Sequence, residues 1–329
     1  MAAGVGDAAI QRGIGSLEAG GRLELGFFGG EPLLEATAIG RWMDLARQEA
    51  QRAGVRIGFH LTTNGTITSA AAWDVLMRED VRVAVSFDGV PAVHDRFRIF
   101  ADGRGTSTDV ERTIRKLVGL GKAVSVVMVV RPETAGQLAA GMRYLRGLGV
   151  RSIEPSLDLW THWTRDDAMV LRRAIRDAAE VWFEGLPDHA VNWFDGKAAE
   201  ISGVSNTGTL CGFGDGELAV APSGNLYTCE RLIGEDQPNH PMRLAGHVLD
   251  EQRDFSPRAM AAGGQTEACG TCTMHGMCST YCRCSNFVRT GDIRRPDGLL
   301  CLWNQACLDE VAVRVQSGST IKELHVCQT

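Results

Sequence analysis

Cys269, Cys272, Cys278 and Cys282 fall within fourteen residues of one another, spaced C-x2-C-x5-C-x3-C. Ordinary packing asks for no such density. Thiolates at these gaps, in a glycine-bearing loop, converge on one or two soft metal centres. Upstream, Cys211 and Cys229 bracket Gly224 as C-x12-G-x4-C, and downstream Cys301 follows Cys282 after eighteen residues. All ten cysteines lie at or after Cys211, and residues 1–210 hold none. Zinc accepts the same thiolate ligands and uses C-x2-C freely, but rarely needs a seventh thiolate.

A second group of candidate residues lies in short loops. Gly29-Gly30-Glu31-Pro32 follows a predicted strand, as do Thr63-Asn64-Gly65 and Ser86-Phe87-Asp88-Gly89. Glycines let a backbone approach a ligand closely, while carbonyls and a carboxylate accept hydrogen bonds from an ammonium group. Arg98, in His94-Asp95-Arg96-Phe97-Arg98, adds a cation suited to a carboxylate.

The elements that must position these residues alternate in type. Strands are predicted over 22–28, 56–62, 81–85, 123–130 and 152–157. Helices follow over 33–53, 69–79, 108–120, 135–148 and 166–182. Near-continuous apolar strands alternating with amphipathic helices predict an α/β fold, a parallel sheet covered by helices. The candidate loops all follow strands, where parallel α/β folds place their active sites. A helix over about 8–17 precedes the first strand, so the five βα units resemble a six-unit barrel that lacks its first strand. The expected divisions are 1–186 for this partial (β/α)6 barrel, 187–210 as a bridge, and 211–329 for a cysteine-rich domain. That domain is expected to be loop-rich, with a β-hairpin around Pro222-Ser223-Gly224 and metal ligation in place of a core.

At 329 residues, 44% hydrophobic and 22% charged, the chain has the composition of a globular protein. A net charge of −6 offers no electrostatic case for nucleic acid or an anionic membrane. The N-terminus lacks the form of a signal peptide and no apolar run spans a bilayer. A cytoplasmic protein is therefore expected, in which disulfides are not the expected use of the cysteines.

Taken in order, the seven cysteines resemble the SPASM domain of radical S-adenosylmethionine (SAM) peptide maturases, and the chain as a whole resembles the sulfatase maturases. The three strand-end loops are similar to the SAM-binding loops of that family. The resemblance implies a 5′-deoxyadenosyl radical that abstracts hydrogen from a peptide or protein substrate, leading to a crosslink or an oxidised side chain. It implies two auxiliary [4Fe–4S] clusters. The outer would be held by Cys269, Cys272, Cys278 and Cys301, the inner by Cys211, Cys229 and Cys282.

Other roles follow from the same resemblance. Gly29, Gly30 and Glu31 would hold the SAM amino group, with Ser86 and Arg98 at its carboxylate and Asn64 ordering its own loop. An electron donor such as flavodoxin or ferredoxin is implied. Glu230 stands where sulfatase maturases carry a catalytic aspartate; a structural pairing with Arg231 is the alternative. The fourth position of the inner cluster is either open or filled by Cys284, because the further cysteine that sulfatase maturases use there is absent. Trp160, His162 and Trp163 are expected at the barrel mouth. Cys307 and Cys327 have no assigned role beyond ordinary thiols, with a reactive Cys327 as the alternative.

One departure is large. The family's C-x3-C-x2-C, which binds the SAM-cleaving cluster, is not in this sequence, and a third cluster would need an upstream segment to supply it. The alternative is a degenerate, non-catalytic iron–sulfur protein serving electron transfer or peptide binding.

Anaerobically purified protein is expected to contain about seven to eight iron atoms per chain, with visible absorbance that dithionite bleaches. Colourless protein with stoichiometric zinc would contradict the iron–sulfur reading.

Overall fold

Six strands make the main sheet of the computed structural model, in the sequential order β1 to β6. They are β1 (Arg22–Phe27), β2 (Arg56–Thr63), β3 (Val81–Ser86), β4 (Val124–Val130), β5 (Ser152–Leu157) and β6 (Ala190–Val191). The structure describes residues 1, 4–203, 212–214, 216–237, 239–251, 255, 267–274, 277, 278 and 282–317. Cys211, Cys327 and the polar segment 205–208 lie outside them. No helix among the described residues is long and apolar enough to cross a membrane.

The chain divides into two compact units, one of residues 1–63, 67–83 and 211–263, the other of residues 64–66, 84–210 and 264–329. In the first, β1 and β2 pair in parallel with Leu23 opposite Ile57 and Gly26 opposite His60. Helix α2 (Ala36–Ala53) runs between them and buries Ile39, Met43, Ala46 and Ala50. Gly54 ends it in the left-handed conformation (φ 68°) that glycine adopts at no steric cost. Helix α3 (Ala70–Leu76) is capped by Ser69, whose side chain accepts the Ala72 N–H.

The N-terminal helix α1 (Val5–Gly15) packs on α2 and also meets a second, three-stranded sheet. That sheet comprises β7 (Ala219–Val220), β8 (Asn225–Tyr227) and β9 (Arg243–His247). Val5 shares an apolar cluster with Leu226, Leu244 and Val248, and the buried Arg12 donates to the His247 carbonyl at 2.7 Å. The same helix also supports the sheet that carries the hairpin before Cys229.

In the second unit β4 and β5 pair in parallel, Val126 opposite Ile153, and β6 continues from β5. Residues alternate between buried and half-buried along β4 and β5. One face therefore packs beneath α5 (Ser107–Gly119), α6 (Leu138–Gly147) and α7 (Arg165–Glu184), while the other carries Ser125, Val127, Ser152 and Glu154. Short α4 (Pro91–Phe97) follows β3.

Two stretches hold more regular structure than the sequence pattern suggests. The stretch expected as a bridge forms β6 and α8 (Asn192–Ile201). The cysteine-rich end, expected to be loop-rich, carries α9 (Glu267–Gly270), α10 (Arg283–Thr290) and the 20-residue α11 (Gly298–Ser317). Helix α11 packs against α7 and α8 through Trp303 on Trp193 (5.7 Å, edge to face), and Leu308 and Val311 are buried. Its apolar residues surround the helix instead of lining one side, which blurs the 3.6-residue period.

Gly89, after β3, has φ 85° and lies against Gly141 of α6, where an added Cβ would come within 2.9 Å of the Gly141 Cα. Gly89→Ala is expected to destabilise the protein by about 2–4 kcal/mol, combining left-handed strain with overpacking. Gly119→Ala, at the open end of α5, should be neutral or slightly stabilising. Thermal melts of the two variants check the contrast, and equal melting temperatures would contradict it.

Candidate functional site

The loop after β1 is open at its glycines. Nothing lies within 4 Å of where a Cβ on Gly29 or Gly30 would stand, and Phe28 beside them is exposed. Glu31 is held more firmly. Its Oε1 accepts the Leu33 N–H at 3.0 Å, capping the single turn Pro32–Glu35, and the Thr63 hydroxyl at 2.8 Å. The carboxylate thereby ties the loop after β1 to the end of β2. In the next loop, Asn64 Oδ1 accepts the Thr66 N–H (2.9 Å) and hydroxyl (2.8 Å), closing a local turn. Gly65 (φ 75°) packs so closely on Val110 that a Cβ would come within 2.9 Å.

The loop after β3 contains the most heavily bonded carboxylate of this region. Asp88, with no exposed side-chain surface, accepts Arg98 Nε at 2.9 Å, Arg98 Nη2 at 3.2 Å, the Val129 N–H at 3.0 Å and Arg131 Nη1 at 3.3 Å. Arg131 also reaches Asp158 at 3.4 Å and lies over the Phe97 ring at 4.3 Å. The ends of β3, β4 and β5 are thus joined by Asp88, Arg131 and Asp158, with Arg98 aligned beside them. Ser86 is half-buried at the end of β3.

His94 backs this network. It is fully buried and stacks on Phe87 at 4.4 Å. Its Nδ1 accepts the Asp88 N–H (3.2 Å), which assigns the proton to Nε2, facing the Thr106 hydroxyl at 2.8 Å. Burial holds its pKa down at about 4.

Beyond the loop after β5, Trp163 is buried and donates to the Asp158 carbonyl (2.9 Å), whereas Trp160 is 65% exposed and His162 is exposed. Arg289 of α10 donates to the carbonyls of Leu159 (3.0 Å) and Thr161 (2.9 Å) and pairs with Asp297 at 2.7 Å. This holds the end of the cysteine-rich segment on the loop that carries Trp160.

In the first unit, the sheet face bearing Glu24, Gly26 and His60 is polar. Glu24 accepts Arg22 (2.6 Å) and Arg82 (2.7 Å). Burial, then the Arg82 charge, lowers the His60 pKa, while Glu24, Glu230 and Glu217 pull it upward. Glu230 therefore lies within electrostatic reach of His60.

The thiols of the expected outer set share one neighbourhood. Burial, then Cys278, Cys269, Asp297 and Cys272, raises the pKa of Cys301. Four thiols as a donor set suit a multinuclear cationic centre, and their chemistry fits a four-iron cluster. Lys197, buried on α8, donates to the Met277 carbonyl at 3.3 Å beside this loop, and burial lowers its pKa. Cys307 is wholly buried in α11.

The expected inner set is described in part. In the second unit, Cys282 Sγ is 3.1 Å from that of the buried Cys284 and accepts the Ser285 hydroxyl at 3.1 Å; the contact with Cys284, then burial, raises its pKa. In the first unit, Cys229 is 4% exposed and its thiol donates to Glu230 at 3.4 Å. Among the described residues, Glu217, Cys229 and Glu230 bring their donor atoms within 4.8 Å of one another. These residues also fit a metal centre. The SAM-cleaving cluster has no thiolate to hold it in residues 1–210.

Sequence reasoning left Arg131, Asp158, His60 and Glu217 unassigned. Arg131 and Asp158 directly follow predicted strands, the same signal that singled out the other loops. Glu217 needed the hairpin register, and His60 needed the face its strand presents.

No family model matches the chain. Among curated proteins it is similar to the serine-type anaerobic sulfatase-maturating enzyme of Klebsiella aerogenes, 28% identical over 246 residues, covering 69% of this chain and 58% of that protein. It is also similar to the cysteine-type enzyme of Clostridium novyi, 22% identical over 220 residues, covering 63% of this chain and 58% of that one. The matches thus span less than two-thirds of these relatives. Among solved structures, anSMEcpe with bound AdoMet and Kp18Cys peptide superposes with a TM-score of 0.78 at 20% identity, covering 96% of this chain and 90% of that one. SuiB of Streptococcus suis, bound to precursor peptide SuiA, has a TM-score of 0.54 at 12% identity, covering 84% and 65% of the two chains. The chain is sulfatase-maturase-like in sequence, and it has the α/β fold of the radical SAM maturases.

Because the folded pKa of His94 lies below the unfolded 6.5, stability is present above pH 6.5 and lost as pH falls toward 4. Between pH 7.5 and 5.5 the wild type should lose about 1 kcal/mol more than His94→Asn. Urea unfolding at the two pH values measures this, and equal losses would show that His94 protonates freely in the fold.

Proposed function

We propose that this chain takes part in radical SAM modification of a peptide or protein substrate, ending in a crosslink or an oxidised side chain. The observation that carries the reading is the collection of Cys269, Cys272, Cys278 and Cys301 in one neighbourhood, in a chain whose sheet bears Gly-Gly-Glu, Thr-Asn-Gly and Ser-x-Asp-Gly at its strand ends. The likeness to sulfatase-maturating enzymes supports it.

Each residue has a proposed part. The open backbone at Gly29 and Gly30, with the carboxylate of Glu31, receives the SAM ammonium. Arg98 meets the SAM carboxylate with Ser86. Asp88 takes Arg98 Nε and Nη2, which aims Nη1 and fixes a side chain that would otherwise lose rotamer freedom on binding. Asn64 keeps its loop closed. Glu230, beside the buried Cys229 and within reach of His60, accepts a proton from the substrate. The exposed Trp160, on the loop held by Arg289, offers an aromatic surface to a peptide.

The thiols are proposed to hold two auxiliary [4Fe–4S] clusters, and a flavodoxin or ferredoxin to deliver electrons. Such clusters, when bound, supply one-electron transfer and, at an iron with an exchangeable position, a point of attachment for substrate. The proposed divisions are a barrel part over 1–186, a connecting part over 187–210 and a SPASM part over 211–329. With no cysteine before Cys211, no step is assigned to a SAM-cleaving cluster held by these residues.

The test is SAM binding by the reconstituted protein under anaerobic equilibrium dialysis. Binding is expected to be weak, and Arg98→Ala should lower it about tenfold, as for a lost hydrogen bond between charged groups. Arg96→Ala, whose guanidinium lies over Phe97, should leave it nearly unchanged. Equal behaviour of the two variants would remove the SAM pocket from this reading. No 5′-deoxyadenosine is expected with dithionite. Its formation would assign the cleavage to thiols after residue 210 and favour a different division of the clusters.

A further inference from the structure

The hairpin that carries Cys229 sets a second residue against it. Strands β7 and β8 pair antiparallel, with Ala219 opposite Tyr227 and Val220 opposite Leu226. Continuing this register by two residues brings Glu217 opposite Cys229. Residues directly opposite share a face of the ladder, with Cβ atoms about 4.5–5.5 Å apart. The ladder itself ends at Ala219 and Tyr227, and the donor atoms of Glu217 and Cys229 meet just beyond it.

Several local features hold that register. Ala221 N donates to the Asn225 carbonyl at 2.9 Å across the loop, and Gly224 takes the left-handed conformation the turn requires (φ 102°). Asp236 gathers the Ser223 hydroxyl, the Asn225 amide and the Tyr227 hydroxyl, fastening the returning chain to the hairpin. On the other side, Gly214 N donates to the Glu217 carbonyl at 2.6 Å, and the neighbouring Phe213 is buried. The Glu217 carbonyl is thus held by Gly214, a few residues before the turn that fixes the hairpin.

The donor atoms converge accordingly. A Glu217 carboxylate oxygen, Cys229 Sγ and a Glu230 carboxylate oxygen all lie within 4.8 Å of one another. Cys229 is nearly inaccessible, Glu230 half-buried and Glu217 exposed. One thiol and two carboxylates with donor atoms this close form a set that a single cation can bridge. The resemblance assigns three thiols to the inner cluster, Cys211, Cys229 and Cys282, which leaves one of four irons without a thiolate unless Cys284 supplies it.

We infer that Glu217 supplies the missing ligand: its carboxylate oxygen binds an iron of the centre that Cys229 helps to hold. This rests on the proposed reading that Cys229 ligates a cluster. Binding exchanges an iron-bound water for a carboxylate oxygen and leaves the oxidation state of the iron unchanged. A Cys229 thiolate on iron has no S–H to donate, so Glu230, which accepts that thiol when it is protonated, is released for substrate. An oxygen ligand is harder than thiolate and holds a cluster iron less tightly. The iron bound by Glu217 is therefore the one that oxidation removes first.

Iron content and electron paramagnetic resonance of the full chain, reconstituted anaerobically and then oxidised mildly with ferricyanide, test this. Wild type should lose about one iron per chain and develop a three-iron signal. Glu217→Ala should show that loss before oxidation, whereas Glu217→Cys should resist it and alter the spectrum of one reduced cluster only. Cys284→Ala and Glu230→Gln should match wild type. The assignment is overturned if Glu217→Ala and Glu217→Cys both behave as wild type, or if Cys284→Ala produces the loss instead. Wild type without any iron–sulfur spectrum would overturn the cluster reading, and this inference with it.

Discussion

A buried carboxylate can stay charged only if its surroundings replace the water it has lost. Asp88 meets that condition with two guanidinium groups and a backbone N–H, and in doing so fixes the geometry of three strand ends. Arg98 is held from β3, Arg131 from β4, and Arg131 in turn holds Asp158 after β5. Removing the carboxylate would deprive both guanidinium groups of it and release the loop after β3, while Arg131 kept Asp158. The stacked pair Phe87 and His94 closes the network from below, and the His94 ring stays neutral because burial disfavours its charge. A ligand carboxylate meeting Arg98 would find a guanidinium already aimed, with little further entropy to lose.

The cysteine-rich end works under a different constraint. Its helices do have a core: Trp303 meets Trp193, and Leu308 and Val311 are buried under α7 and α8. Cys301 stands on an exposed part of that same α11, so one thiol of the proposed outer set is carried by a packed helix. Cys269, Cys272 and Cys278 come from a separate segment, which Lys197 of α8 meets at the Met277 carbonyl.

Much of the main sheet was legible in the sequence because its strands are apolar and its loops carry glycine. β4 and β5 were plain from Val124–Val130 and Ser152–Leu157, and α7 from its long amphipathic run. β6 was not, since two residues, Ala190 and Val191, carry no periodicity. Helix α11 was missed because apolar residues surround it. At the site, residue types pointed to Glu31, Arg98 and the thiols, but not to what Arg98 would touch. Its partner Asp88 stood inside the quoted motif, and only the fold shows that one carboxylate serves both Arg98 and Arg131. Glu217 was hidden for another reason: it becomes a neighbour of Cys229 only through the hairpin register.

The central claim is that these thiols gather two iron–sulfur centres onto a SAM-type α/β sheet. Anomalous diffraction at the iron edge, from crystals grown without oxygen, tests it most directly. The account predicts two separate compact iron sites, one enclosed by Cys269, Cys272, Cys278 and Cys301 and one against Cys229. A single mononuclear site, or a zinc-edge signal in place of iron, would contradict it.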